Sequence, residues 1–145
     1  MKKIIFLGLF LCIANFANAQ KAGGKAVGII ASGTAVKKFH EKGELEAMTK
    51  GPLIDLYVER VRVLVGTLPY IALTNKQGVT LTDVGVPANA ETDKNLTLHK
   101  EGIITFAKVT EDFQRSMMSY ADKINIITAI LYYEDMLKSL QALNE

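Results

Sequence analysis

The chain has 145 residues, with 17 Lys and Arg against 15 Asp and Glu, 49% hydrophobic residues and one Cys. A length of this order makes one domain with a core of its own, and a lone thiol excludes a disulfide-stapled scaffold. A formal net charge of +2 is too small to gather nucleic acid or anionic lipid over any distance.

The first segment reads as a cleavable signal peptide. Lys2 and Lys3 precede a short apolar run, Ile4 to Phe16, and Ala17-Asn18-Ala19 is a small-x-small processing site. The apolar run is short for a membrane span. The expectation is therefore residues 1–19 as signal and residues 20–145 as a single domain, exported to a bacterial periplasm or to the medium. No integral membrane span should remain after cleavage. Processing would remove Lys2, Lys3 and Cys12, leaving 15 basic residues against 15 acidic ones and no thiol.

Ala26 to Phe39 is rich in small and apolar residues, and a packed helix is expected there despite Gly28 and Gly33. The charged stretch Lys37 to Lys50 continues or ends it. Gly51-Pro52 suits a helix start, because proline lacks the N–H that the first turn leaves unpaired. Beyond it Ile54, Tyr57, Val61, Leu64, Leu68 and Ile71 return every three or four residues, the stripe of an amphipathic helix. Val58 to Val63 also alternates and is β-branched, so a strand competes over those residues. Pro69 should end or kink the helix. Lys76-Gln77-Gly78, flanked by Thr-rich apolar runs, allows a small β-hairpin over residues 70–84.

In the last third, Leu96, His99, Ile103, Phe106, Thr110, Phe113, Met117 and Tyr120 form a long stripe. A turn at residues 119–122, with Asp122 as N-cap, leads to a second stripe of Ile126, Ile130, Tyr133, Leu137 and Leu140. The fold expected is mainly α, a bundle of about four helices. The last two should be antiparallel neighbours across a short turn.

Candidate chemistry is sparse. His99 lies on an apolar stripe and could ligate a metal or haem. His40 and Glu44 are spaced to share a helix face and could make a two-ligand site, although Lys37, Lys38 and Lys42 neutralise the same stretch. The Glu-x-x-His pattern of di-iron bundles is missing at both histidines, and no Gly-x-Ser-x-Gly or Ser-x-x-Lys motif occurs. Glu134 is spaced for an outward salt bridge to Lys138. Tyr120, Tyr132 and Tyr133 are amphipathic residues of the kind favoured at interfaces.

These observations favour an exported, non-enzymatic helical bundle without a cofactor. It would bind an unidentified protein partner or itself as part of the bacterial envelope. A small-ligand, metal or haem site between helices is the alternative. An enzyme built on residues 74–91 and Glu134 ranks last.

Overall fold

A computed structural model describes residues 27–143. The signal-peptide segment lies outside the described residues. Among the described residues four α-helices follow one another: α1 (Lys42–Ala47), α2 (Lys50–Thr67), α3 (Ala90–Met118) and α4 (Lys123–Ala142). Two 3-10 turns, Leu68–Tyr70 and Thr82–Val84, lie in the α2–α3 connection. There is no strand among the described residues, so the fold is mainly α, and no described helix is long and apolar enough to cross a membrane.

Helix α2 is the centre of the molecule. It packs against α4 on one side and α3 on the other, and α1 adds to α4. The pairs Tyr57–Tyr133 and Arg60–Glu134 number upward together, so α2 and α4 run parallel. The pairs Asp55–Arg115 and Arg62–Glu111 number in opposite senses, so α2 and α3 run antiparallel. The last two helices are joined by a short turn at residues 119–122 and run antiparallel as expected, but each packs mainly on α2 and little on the other.

The main core is built by Leu45 of α1, Leu53, Tyr57 and Val58 of α2, and Ile126, Ile127 and Ile130 of α4. Val63, Leu64 and Leu137 extend it along the α2–α4 line. A separate cluster at the other flank joins Ile29, Ile30, Tyr70, Leu81 and Leu96. The helix ends follow local chemistry. The Asn89 side chain accepts from the N–H groups of Glu91 and Thr92, both at 3.0 Å, and Thr92 returns the contact to the Asn89 N–H. This capping box starts α3. Helix α2 starts at Lys50 with Pro52 in its first turn, and passes into the 3-10 turn at Pro69.

Three local expectations are corrected. Residues 27–39 form no helix. Ile29 and Ile30 are adjacent and both buried, which an extended segment wedged between elements achieves and a one-sided helix does not. The Ile29 N–H donates to the Val79 carbonyl, and a Cβ at Gly28 would stand 3.2 Å from the Gly78 Cα. That same pairing accounts for the missing hairpin. Gly78 turns the chain at φ 80°, but the flanks part, because Tyr70 and Leu81 are drawn to Ile29 and Leu96 rather than to each other's strands. The competing strand over 58–63 is helix throughout.

The third correction concerns α3. Its inward row is Leu96, Lys100, Ile103, Ala107, Thr110, Gln114 and Met118, of which Leu96 alone is fully buried. The expected stripe drew Leu96, Ile103 and Thr110 from this row and Phe106, Phe113, Met117 and Tyr120 from another that faces outward. Among the described helices α2 is the one that packs closely on α3, so only one of the two rows is covered by it.

Ion pairs fasten α3 to α2. Glu111 accepts from Arg62 and from Arg115, and Arg115 also reaches Asp55. The Arg62 hydrogen bond, helped by Arg115, holds the Glu111 carboxyl below its ordinary value of 4.5. A lowered native pKa means stability that is present above pH 4.5 and lost as the pH falls through the native value. The variant Glu111→Gln should therefore unfold with a flatter acid limb below that pH. Urea midpoints compared across the acid range check this, and parallel acid limbs for variant and parent would contradict it.

Candidate functional site

The only deeply buried charges among the described residues meet where α2, α4 and the segment before α1 converge. Arg60 and Glu134 are both 0% exposed, and His40 is 9% exposed. Arg60 donates to Glu134 Oε1 through Nε at 3.0 Å and through Nη2 at 2.7 Å. Its Nη2 also donates to the Lys38 carbonyl at 2.6 Å. Glu134 Oε2 accepts the His40 backbone N–H at 2.7 Å. His40 Nδ1 stands 3.2 Å from Glu134 Oε1 and 3.2 Å from Arg60 Nη2. Both Nη2 protons are already engaged, so the consistent tautomer places the proton on Nδ1, donating to Glu134. Every contact to the Glu134 carboxyl then comes from a donor, the arrangement of an ionised carboxylate. Arg60 Nη1 lies 3.1 Å from Glu59 Oε2, off the line of a hydrogen bond, and has no hydrogen-bond partner of its own.

This cluster ties α2, α4 and the segment before α1 together, with its carboxylate and guanidinium closed to solvent. It also corrects the outward salt bridge expected for Glu134. Lys138 pairs with Asp135 at 3.6 Å and lies over the Phe39 ring. The apolar stripe Ile54, Tyr57, Val61 and Leu64 steps around Arg60, so that pattern gives no sign of its burial. The row Leu53, Tyr57, Arg60, Leu64 and Thr67 has the same three-and-four spacing and is buried throughout.

The histidines go to different places. His40 precedes α1, whose N-cap is Glu41, so it does not share a helix face with Glu44. Glu44 is exposed, pairs with Lys38 at 2.7 Å and caps the Glu41 N–H at 3.1 Å. The Lys38 hydrogen bond, and then the Glu41 N–H, hold its carboxyl below the ordinary range. His99 is exposed on α3, with Nδ1 3.0 Å from the Tyr70 hydroxyl and the two rings edge to face. No group of three His, Cys, Asp or Glu stands close enough to hold a metal among the described residues. Tyr133 is half-buried against Tyr57, and burial followed by the Tyr133 hydrogen bond pushes the Tyr57 hydroxyl up to about 12. Tyr120 and Tyr132 are exposed.

Helix α3 carries an extended apolar surface. Leu98, Phe106, Val109, Phe113 and Met117 follow at steps that keep them on one face, with Gly102 between the first two. Phe106 is 59% exposed and Phe113 63%. Beside this face, two grooves lie on either side of Ile103. One, about 490 Å³, is walled by Val65, Leu68 and Pro69 at the end of α2 and by Leu98, His99 and Phe106 of α3. The other, about 370 Å³, lies between residues 29–34, α2 and α3, with Lys100 in its wall.

Removing one member of the buried pair strands the other charge, at a cost of about 3–5 kcal/mol. Glu134→Gln is expected to lower stability by that order. Arg60→Met combined with Glu134→Leu should be less damaging than Glu134→Gln alone, because no charge is left behind. Urea denaturation of the three proteins checks the order; a double variant less stable than Glu134→Gln would contradict it. Compared with known protein families, curated proteins and solved structures, this chain matches none.

Proposed function

We propose that this chain is an exported, non-enzymatic helical protein of the bacterial envelope that acts by binding another protein, or a second copy of itself, through the outward face of α3. The observation that carries this reading is the row Leu98, Phe106, Val109, Phe113 and Met117, all large and all exposed on a single helix face. Scattered exposed apolar residues are ordinary, whereas a contiguous row of them marks an interaction surface.

Two further features support it. The row spans roughly 28 Å of helix at 1.5 Å per residue, long enough for an extended interface. The groove next to its first turn, between Leu68, Pro69, Leu98 and Phe106, offers a partner side chain an apolar seat. Export rests on the Lys2-Lys3, Ile4–Phe16 and Ala17-Asn18-Ala19 sequence features. The non-enzymatic reading rests on the solvent-closed placement of Glu134 and on the lack of a nucleophile motif in the sequence.

The test is Phe113→Asp, with Phe106→Asp as a second variant. Both positions are exposed, so helicity and melting temperature should stay close to the parent. Native gels and light scattering on envelope extracts should show the parent in an assembly larger than a monomer. Each variant should be displaced to the monomer, with a loss of about 2 kcal/mol or more in association free energy if the phenylalanine is a central anchor. A parent that runs as a monomer in its native fraction would refute the proposal.

A further inference from the structure

We propose that the groove between residues 29–34, α2 and α3 is a binding site for a single-chain carboxylate amphiphile of the fatty-acid class, its chain along the apolar walls and its carboxylate on Lys100. This inference is independent of the partner-binding reading, since it concerns the opposite side of Ile103 from the Leu98–Phe106 groove.

Ile29, Tyr70, Ile103 and Ala107 supply apolar surface around about 370 Å³, a volume within the range of small-ligand sites. Gly66 lets α2 and residues 29–34 close up in one wall of the groove. At Gly66 a Cβ would come within 2.7 Å of the Thr34 methyl group, so the two elements meet there as closely as they can.

The groove is lined by three cations, Arg62, Lys100 and Lys108, and one carboxylate, Glu111. Arg62 is satisfied by Glu111, and Lys108 by Asp112 at 2.9 Å. Lys100 has no carboxylate partner among the described residues. Its ammonium donates to the Gly28 carbonyl, which uses one of three N–H bonds. The remaining two are available to an acceptor. Half-burial pulls the Lys100 pKa down, because the charged form has lost water without gaining an anion. A carboxylate seated there would restore what burial removed. The Leu98–Phe106 groove has no such cation in its walls, so an anionic amphiphile is matched to this groove and not to that one.

The experiment uses delipidated protein with a native circular dichroism spectrum, titrated with the fluorescent fatty acid cis-parinaric acid and with its methyl ester. Saturable binding of one acid per chain is expected, with clearly weaker binding of the ester. Lys100→Gln should weaken the acid about tenfold, the loss of one charge-assisted hydrogen bond, and leave the ester unchanged. Ala107→Phe, which fills the groove, should reduce both. Absent saturation, equal affinity for acid and ester, or undiminished binding to Lys100→Gln would each overturn the proposal. An equal affinity would mark the groove as a seat for neutral apolar groups. The ester comparison is made on the unaltered protein, so it decides the matter even if a variant fails to fold.

Discussion

Glu134 is where three distant parts of the chain are forced to agree. Its two oxygens take the Arg60 guanidinium from α2 and both a ring and a backbone N–H from His40. A carboxylate shut away from water is tolerable only when donors meet both of its oxygens, so α2, α4 and the segment leading into α1 have little freedom to slide. The aliphatic core around Leu53, Ile126 and Ile130 supplies the bulk of the burial. Such contacts are non-directional and allow repacking. The ion cluster is directional, and it singles out one alignment among those that hydrophobic packing would accept.

On its other side α2 does something different. Arg62 is two residues from Arg60, about 200° around the helix. It meets α3 through Glu111 near the surface, where ion pairs contribute little. Thus α3 is held by a thin inward row and polar fasteners, while its largest side chains stay in water. The functional reading follows from this division: one flank of α2 is spent on holding the fold, and the helix on the other flank is left with surface to offer. The Lys100 groove lies in the joint between them, where packing is incomplete.

Much of the architecture was legible. The spacing of apolar residues placed α2, α3 and α4, Asp122 and Pro52 marked starts, and Pro69 marked the change to a tighter turn. What failed has a common cause. Periodicity says that a face exists, not how many neighbours will cover it, so the two rows of α3 read as one buried stripe. Ile29 and Ile30 read as helix because an apolar run of small residues has no sign of direction until its partner, here Val79, is known. At the candidate site, Glu134 and Arg60 each occupied a position on a buried row and carried opposite signs. That coincidence was available in the spacing, but it points to a pair only once the rows are assigned to facing helices. The Lys100 groove depends on Gly28, Gly66 and Ile103 coming together, which no local pattern encodes.

The parallel course of α2 and α4 has a geometric cost that α3 meets. Two parallel helices joined in sequence require the chain to travel back the full length of the first before the second can begin. With 29 residues, α3 makes most of that return in one rigid piece. Its length is therefore a measuring rod for the molecule. One turn more or fewer would move the start of α4 by about 5.4 Å along the axis and carry Glu134 out of reach of Arg60, however well each helix formed by itself.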